Sequence, residues 1–244
     1  MATKLVYTMN FAAFDCCKDQ VCIDLGANEG EYVNMALDYG AAKVYAFEAG
    51  HKMCIRMKER FASDPVKKDK VIIEEYAVSN EQSVLKNVTW INAWMLGDPK
   101  TANYPVSPGA CDIEGYELVS IPTISLDYYF AGSDEKIGFM KIDVDGYEFK
   151  AMQGAKATIM KHRPIIFIEL SFYIDQVPNS SVKEFFELIK ELKYVFVDLH
   201  GTVRSYEYVE QEFPWHSSCD IFIIPEEQKD TCSIIAPLQV HRSK

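Results

Sequence analysis

The sequence predicts an α/β fold in which a mainly parallel sheet carries helices on both faces. The first observation is that short apolar runs alternate with segments of helical periodicity along most of the chain. The second is that acidic residues recur at the ends of the apolar runs, where the carboxyl edge of a parallel sheet binds its ligands. The third is a glycine-bearing turn directly after the first run, which is typical of a strand that passes tightly into a helix.

The strands are predicted at apolar runs that glycine, proline or polar residues bound. Because helices rather than tight turns separate these runs, most neighbours in the sheet are expected to be parallel. Two further segments, 83–94 and 119–124, have a strand-like composition. The main strands are predicted at 21–25, 43–48, 70–78, 137–143, 164–170, 194–199 and 220–224.

The helices are predicted between these strands, where apolar residues recur at helical spacing. Gly40 ends the first helix, because glycine readily adopts the left-handed conformation at a helix C-terminus. Ser125 and Ser181 are placed to cap helices, the former a short one over 125–130. The longer helices are predicted at 29–39, 51–62, 147–161 and 182–192.

Length and composition favour one domain over two. A chain of 244 residues with 48% hydrophobic residues can bury one substantial core. We expect a single domain over 1–244, with a lead-in segment at 1–19 and an insert at 83–118. The middle of the insert, 95–117, is rich in Gly, Pro, Asn and Ser, and it is interpreted as a long loop over the substrate site.

Charge and cysteine content disfavour several classes of protein. The net charge of −11 disfavours a nucleic-acid partner, because a polyanion is repelled and no basic stripe compensates. The seven cysteines are odd in number and form no C-x-x-C pair, which indicates reduced thiols rather than disulfides or a zinc site. No N-terminal apolar run is long enough for a signal peptide or a membrane span. We therefore expect a soluble, intracellular protein of the cytoplasm.

The segment 21–30, VCIDLGANEG, predicts a site for a nucleoside-containing cofactor. Gly26 and Gly30 differ in spacing from the G-x-G-x-x-G of dinucleotide sites. Asp24 would repel a pyrophosphate but suits a ligand with an α-amino group. Glu48 ends the second strand, where a carboxylate accepts hydrogen bonds from a ribose. S-adenosylmethionine combines these features, and an ordinary strand–turn–helix without a cofactor is the alternative.

Three further residues are candidate cofactor contacts. Asn28 lies in the glycine turn, and Tyr76 and Ala77 lie toward the end of the third strand. Because ligands of open α/β sheets lie beyond the carboxyl ends of the strands, we expect all three at the cofactor edge.

Asp143 and Glu169, at the ends of the fourth and fifth strands, are the candidate catalytic pair. If these strands are neighbours, the two backbones lie about 5 Å apart, and carboxylates so close share a proton or bind a cation. The pair either holds a divalent cation such as Mg²⁺ or Mn²⁺ beside a substrate hydroxyl, or Asp143 acts as a general base while Glu169 hydrogen-bonds the substrate. Helix capping or solvation is the alternative without chemistry. Asp145 and Glu148 are interpreted as helix-start residues that the helix dipole favours.

The remaining candidates are aromatic residues and one histidine. His200 is a candidate base because its pKa can lie near neutrality, although a histidine before glycine is commonly a turn residue. Trp90 and Trp94, together with Trp215, offer rings that either stack on sugar faces or pack in a satellite core. Tyr147, after the fourth strand, is a further candidate substrate contact.

Together these motifs resemble the FkbM-type S-adenosylmethionine-dependent methyltransferases. The chain departs from that family at Ala49, where proline is common, at Asp145, where glutamate is common, and at Tyr147, where a small residue is common. The segment around Asp145 is similar to the metal-dependent sugar and macrolide O-methyltransferases of the TylF type. The matching segments follow the family's order over about 20–200: DLGANEG at 24–30, AFE at 46–48, AVS at 77–79, TISLD at 123–127, KIDVDGYE at 141–148, GA at 154–155 and RPIIFIE at 163–169.

The resemblance implies a class I methyltransferase fold, a Rossmann-like sheet of seven mostly parallel strands whose last strand is antiparallel. It also implies S-adenosylmethionine as the cofactor and a hydroxyl, often on a sugar or polyketide, as the methyl acceptor. We therefore expect an O-methyltransferase that acts on a carbohydrate, a glycan or another small hydroxyl-bearing substrate. The alternatives are methylation of a non-sugar metabolite or of nitrogen, and a module that binds S-adenosylmethionine without catalysis.

Overall fold

The structure, a computed structural model, describes residues 15–91, 116–171, 174–175, 177–212 and 218–232. Its strands are β1 (Val21–Leu25), β2 (Lys43–Phe47), β3 (Val71–Glu74), β4 (Ala77–Val78), β5 (Ser83–Ile91), β6 (Tyr116–Ile124), β7 (Ile137–Ile142), β8 (Ile165–Ser171), β9 (Tyr194–Val197), β10 (Val203–Arg204) and β11 (Ser218–Pro225). Its helices are α1 (Glu31–Asp38), α2 (His51–Ala62), α3 (Leu126–Tyr129), α4 (Glu148–Gly154), α5 (Lys156–His162), α6 (Val182–Glu191) and α7 (Tyr206–Glu212).

The main sheet has the strand order β10-β9-β11-β8-β7-β1-β2-β3. β1 lies inside the sheet and pairs in parallel with β2 and β7, and β3 and β8 extend the parallel part on either side. β11, the last described strand in the chain, runs antiparallel between β8 and β9. The predicted mainly parallel sheet with an antiparallel last strand is therefore confirmed.

The number of strands differs from the seven that the resemblance implies, because eight described strands form the main sheet. The additional strand is β10, whose Val203 and Arg204 pair antiparallel with β9. Asp198 folds the intervening turn, since its Oδ1 accepts the amides of His200 and Thr202. This hairpin depends on a polar turn rather than on an apolar run, so no pattern in the sequence predicts it.

A second sheet has the strand order β4-β6-β5. It contains strands from both strand-like segments of the sequence, 83–94 at the start of the predicted insert and 119–124 directly after the insert. The single strand expected at 70–78 is two strands: β3 joins the main sheet, whereas β4 pairs in parallel with β6 through Ala77 and Thr123. β5 and β6 pair antiparallel with each other. The loop predicted at 95–117 lies outside the described residues up to 115, and its last two residues belong to β6 instead. Most of the predicted lead-in segment also lies outside the described residues.

The helix expected after the fourth strand is interrupted, and α4 and α5 take its place. Asp127 supplies the physical reason, because its carboxylate accepts the amides of Ala157 and Thr158 and so caps a new helix N-terminus. Gly154, at the end of α4, packs against the carbonyl of Ser79, where a Cβ would come within 2.0 Å of the oxygen. This close approach excludes a larger residue at that position.

The predicted helix caps are confirmed. The Ser125 side chain accepts the amide of Tyr128 at the start of α3, and the Ser181 side chain accepts the amide of Glu184 at the start of α6. Gly40, with a φ of +88°, follows α1 in the left-handed conformation. None of the described helices is long and apolar enough to cross a membrane.

Two apolar layers cover the faces of the main sheet. Ile23 and Leu25 of β1 belong to one layer, whereas Cys22 belongs to the other, together with Val33 of α1. This alternation is the period of two that a strand imposes on its side chains. Asp24 therefore faces the layer that α1 covers.

Candidate active site

Glycines shape the turn between β1 and α1. Gly26 has a φ of +76°, and a Cβ there would come within 1.8 Å of the carbonyl oxygen of Asp143. Gly30, with a φ of +82°, lies against the ring of Phe61. The amide of Gly26 donates to the carbonyl of Phe47 at 2.9 Å, which ties the turn to the end of β2. The turn therefore presents backbone rather than side chain to the carboxyl edge of the sheet.

Asp24 is a buried carboxylate whose hydrogen-bonding capacity is unused. The residue is 3% exposed, and among the described residues neither carboxylate oxygen has a hydrogen-bond donor. The ammonium of Lys141 lies 3.4 Å from Oδ1 as an ion pair. Burial raises the pKa of Asp24, and the charge of Lys141 opposes that rise. Because an unsatisfied buried acceptor is costly, this position suits a ligand that brings N–H donors.

Glu48 is buried as well, but the backbone holds both of its oxygens. Oε2 accepts the amide of Asn28 at 2.7 Å, and Oε1 accepts the amide of Gly50 at 2.6 Å. Burial raises the pKa of Glu48, whereas these two donors act to lower it. Each carboxylate oxygen has a second lone pair, so the fixed carboxylate keeps acceptor capacity for a ribose diol.

Tyr76 and Ala77 follow β3 at the same edge of the sheet. The amide of Glu48 donates to the carbonyl of Glu74, the last residue of β3, at 3.0 Å. Tyr76 packs partly buried against one apolar layer, and Ala77 begins β4. Tyr76 and Ala77 therefore follow a strand end that lies beside Glu48, at the carboxyl edge of the sheet.

Three carboxylates meet at the ends of β7 and β8. One oxygen each of Asp143, Asp145 and Glu169 lies within 4.8 Å of the others. Asp145 adopts a left-handed backbone with a φ of +51°. Glu148 stabilises this turn, because its Oε1 accepts the amide of Gly146 at 3.0 Å. Asp143 and Glu169 thus lie close together, and Asp145 joins them although its pattern suggests only a helix start.

The proximity of these carboxyl groups changes their protonation. Burial and the charge of Asp143 raise the pKa of Glu169 to about 8, and the same two causes raise the pKa of Asp145 to about 7. The hydroxyl of Ser218 donates to Glu169 at 2.8 Å. Near neutral pH the cluster therefore carries fewer negative charges than it has carboxyl groups, because Glu169 retains a proton beside the charge of Asp143.

The structure adds two charged residues that the sequence patterns do not single out. Lys141 of β7 is 4% exposed, and its Nζ lies 3.1 Å from Oδ2 of Asp143. Asp220 stands opposite Glu169 on β11, and burial together with Asp143 raises its pKa to about 6. The sequence does indicate a role for Lys141, because a lysine inside an apolar strand needs carboxylate partners. No sequence pattern indicates Asp220, because its position in the site depends on which strand β11 pairs with.

Of the other candidates, only His200 and Tyr147 have described side chains. His200 lies in an exposed turn after β9, and β11 separates β9 from β8. Tyr147 precedes α4, and burial raises its pKa. Trp94 and Trp215 lie outside the described residues, and the side chain of Trp90 is not among those described. Their contact with a substrate stays a prediction.

Strand order and acidic residues together define a class of protein. A glycine turn follows the inner strand β1, and Asp24 and Glu48 stand at the ends of β1 and β2 at one edge of the sheet. This is the arrangement of the class I methyltransferases, and solved structures of that class share the fold.

The family model described as the methyltransferase FkbM domain matches residues 24–196. This span is more than half of the chain, and the chain belongs to the FkbM methyltransferase family. The resemblance that the sequence motifs carry is therefore confirmed. No curated protein matches the chain.

Solved structures of methyltransferases are similar to this chain at low sequence identity. The crystal structure of methyltransferase FkbM from Methylobacillus flagellatus has a TM-score of 0.51 at 15% identity, over 83% of this chain and 43% of that one. A putative methyltransferase from Streptococcus mutans in complex with SAH has a TM-score of 0.47 at 12% identity, over 88% and 94% of the two chains. An rRNA methylase from Streptococcus thermophilus has a TM-score of 0.46 at 10% identity, over 89% and 93%. The chain thus spans 43% of the length of the solved FkbM protein.

Proposed function

We propose that the protein is an S-adenosylmethionine-dependent O-methyltransferase that methylates a hydroxyl of a sugar, a glycan or another small hydroxyl-bearing molecule. The observation that carries this proposal is the position of Asp143 beside the Asp24 site. Lys141 contacts both carboxylates, so the proposed base lies one side chain away from the proposed cofactor contact. Membership of the FkbM family supports the choice of cofactor.

The residues around Asp24 fit S-adenosylmethionine. An α-amino group would satisfy the carboxylate oxygens of Asp24, which have no donor among the described residues. A ribose diol would use the second lone pairs of Glu48, whose first ones the backbone occupies. The proposed further contacts lie in the turn and after β3: Gly26, Asn28, Gly30, Tyr76 and Ala77.

The chemistry that the protein must add is modest. S-adenosylmethionine supplies a methyl group on a positively charged sulfur, which keeps the bonding electron pair when the methyl group leaves. The side chains then have to align the acceptor oxygen and take its proton. Asp143, ion-paired with Lys141, is the proposed base. Glu169 holds a proton near neutral pH and is the proposed hydrogen-bond donor to the acceptor.

A metal-assisted version of the reaction is the second candidate. The three close carboxylates Asp143, Asp145 and Glu169 favour it, since Mg²⁺ and Mn²⁺ prefer carboxylate oxygens. A bound ion would act as a Lewis acid that weakens the hold of the acceptor oxygen on its proton. Glu169 would have to release its own proton to become a ligand, so ion binding would release protons.

We further propose that the acceptor is neutral and is not a nucleic acid. The net charge of −11 and the carboxyl cluster both repel phosphate groups. The sequence-based candidates remain proposals for the acceptor side: His200 as an alternative base, and Trp90, Trp94, Tyr147 and Trp215 as substrate contacts.

Calorimetry with S-adenosylmethionine and S-adenosylhomocysteine tests the cofactor. We expect wild type to bind both ligands with a Kd of about micromolar order, and Asp24→Asn to weaken both by about tenfold or more. Asp69→Asn is the matched control, because Asp69 is exposed and lies in a short turn of 3-10 helix before β3. Wild type that binds neither ligand would overturn the proposal.

A screen of sugar and non-sugar acceptors tests the reaction, with products identified by mass spectrometry and NMR. An O-methylated product that forms equally well in EDTA supports Asp143 as the base. A product that requires Mg²⁺ or Mn²⁺ and is lost in Asp145→Asn supports the metal-assisted version. A methylated amine as the sole product would contradict transfer to oxygen.

A further inference from the structure

Lys141 is a buried cation to which the proposed reaction gives no role of its own. It lies in β7 between Met140 and Ile142, both fully buried, and it is itself 4% exposed. Removing an ammonium from water is costly unless several oxygens compensate. The groups that contact the Lys141 ammonium therefore indicate why a cation is buried at this position.

Three oxygens from two segments, 24–26 and the end of β7, surround the ammonium of Lys141. The Gly26 carbonyl accepts a hydrogen bond at 3.0 Å, Oδ2 of Asp143 lies at 3.1 Å and Oδ1 of Asp24 at 3.4 Å. The ring of Tyr32 covers the ammonium, with its centroid 4.6 Å from Nζ. Burial acts to lower the pKa of Lys141, but Asp24 and Asp143 outweigh it and hold that pKa above its usual range. The side chain is therefore a cation at any physiological pH.

The sheet register explains how the Lys141 side chain contacts both Asp24 and Asp143. Lys141 is the direct partner of Asp24 in the parallel pairing of β1 and β7. Asp143 follows Lys141 at the strand period of two, on the same face. Lys141 thus lies one strand away from the proposed cofactor contact and two residues away from the proposed base.

We propose that Lys141 is a positioning residue that acts through Asp24: its ammonium keeps the Asp24 carboxylate charged and oriented for the amino group of the cofactor. The proposal rests on the function proposed above. Without Lys141, Asp24 would be a carboxylate at 3% exposure with no compensating partner. Such a group takes up a proton, and a neutral acid attracts an amino group much less than a carboxylate does.

The test compares Lys141→Met with Lys43→Met. Lys43 is a matched control because it is also a strand lysine paired with a carboxylate, Glu135, but stands at the opposite end of β2 from Glu48. Calorimetry is carried out at neutral pH and low temperature, with folding verified by circular dichroism. We expect Lys141→Met to bind S-adenosylmethionine and S-adenosylhomocysteine more weakly by about tenfold or more, because the hydrogen bond of a charged acceptor is replaced by that of a neutral one. Lys43→Met should bind both as wild type does.

A purely structural role for Lys141 predicts a different result. Folded Lys141→Met would then have a lower Tm but wild-type affinity, and this outcome would overturn the proposal. Wild type that binds neither ligand would overturn the proposed function and this inference together. Wild type and Lys141→Met that bind equally well would overturn the inference alone.

Thermal unfolding of Asp24→Asn/Lys141→Met supplies a second measurement that needs no ligand. If Lys141 acts through Asp24, the double variant has a higher Tm than Lys141→Met, because the lone buried carboxylate has been removed. The same comparison applies where Lys141→Met does not fold, since the double variant should then fold. A double variant that is no more stable than Lys141→Met would overturn the proposal.

Discussion

Two parts of the carboxyl edge of this sheet hold their carboxylates in different ways. We call them the cofactor edge, at the ends of β1 and β2, and the acceptor edge, at the ends of β7 and β8, after their proposed ligands. Glu48, on the cofactor edge, has one backbone amide on each oxygen. On the acceptor edge, Asp143, Asp145 and Glu169 lie within 4.8 Å of one another, and the latter two have raised pKa values. Backbone amides thus hold Glu48 on the first edge, whereas repulsion among side chains governs the second.

This difference shows which parts of the site respond to solution conditions. A carboxylate held by backbone donors keeps its position, and the donors oppose the rise in pKa that burial causes, which suits the recognition of a constant ligand. Carboxyl groups whose pKa values lie near neutrality can exchange protons at physiological pH, which suits acid–base chemistry. Changes to the backbone should therefore damage the cofactor edge most, and changes of pH should act mainly on the acceptor edge.

Gly26→Ala should have the largest effect on stability and cofactor binding, because it disrupts the backbone turn that forms the cofactor edge. The new Cβ would meet the Asp143 carbonyl at 1.8 Å in a backbone with a φ of +76°. We expect a loss of unfolding free energy of about 3 kcal/mol or more, since strain of about 1–3 kcal/mol adds to the clash. Binding of S-adenosylhomocysteine should be lost. Urea unfolding and calorimetry measure the two effects.

Gly132→Ala is the control for Gly26→Ala. Gly132 has a φ of +80°, but a Cβ there would meet nothing within 4 Å. Only the left-handed conformation then costs free energy, about 1–2 kcal/mol, and cofactor binding should be unchanged. Equal losses in the two variants would show that the contact with Asp143 does not shape the turn.

Asp143→Asn should act on the acceptor edge and on turnover. An amide cannot take the acceptor proton, so kcat should fall by about 10²- to 10⁴-fold, whereas the affinity for S-adenosylhomocysteine should change far less. Single-turnover kinetics with an acceptor from the screen measure the first, and calorimetry measures the second. Asp134→Asn, in the exposed segment before β7, is the control. Unchanged kcat in Asp143→Asn would assign the base to another residue, with His200 the next candidate.

Glu48→Gln tests whether backbone donors define the cofactor edge. The amide group of glutamine has one acceptor oxygen, so either Asn28 or Gly50 loses the partner of its amide. We expect a loss of stability of about 1–3 kcal/mol and cofactor binding weakened by about tenfold. Glu59→Gln, on the exposed side of α2, should change neither quantity. Wild-type stability in Glu48→Gln would mean that the two amides find other acceptors.

Local patterns predict the elements of this fold where burial alone determines them. The apolar run at 21–25 is β1, and the helical pattern at 51–62 is α2, with the same bounds. Local patterns do not predict an element correctly where contacts with residues distant in the sequence determine it. The strand expected at 70–78 divides because Ala77 pairs with β6, and one helix becomes two because Asp127 caps α5.

The same division applies to the site. Asp24 and Glu48 can be placed from the sequence, because each directly follows an apolar run that fixes its strand. The contact between Asp143 and Glu169 needs only the assumption that their strands are neighbours. The arrangement around Lys141 depends on register between β1 and β7, and that of Asp220 on the insertion of β11 beside β8. Neither register nor strand order is encoded in a local pattern.

The smallest expected effect is a pH dependence of stability that arises from the acceptor edge. Burial and Asp143 raise the pKa of Glu169 from 4.5 to about 8, so over this range the folded protein binds a proton that the unfolded chain has released. A carboxyl with a raised pKa stabilises the fold below its unfolded pKa and loses that contribution as pH rises through the folded pKa. Stability should therefore fall between about pH 5 and pH 8. Glu148 and Asp145, with pKa values raised to about 8 and about 7, act in the same direction.

Glu169→Gln isolates the share of this slope that belongs to Glu169. Glutamine is neutral at every pH, so the loss of unfolding free energy from acidic to mildly alkaline buffer, measured by urea unfolding, should become smaller. The expected reduction is about 1–2 kcal/mol once solvent screening is allowed for. The slope should not vanish, because Glu148 and Asp145 still titrate. Glu81→Gln, at an exposed position, should keep the wild-type slope. An unchanged slope in Glu169→Gln would mean that Glu169 does not release a proton over this pH range, and the contrast between the two edges would then lie in geometry rather than in protonation.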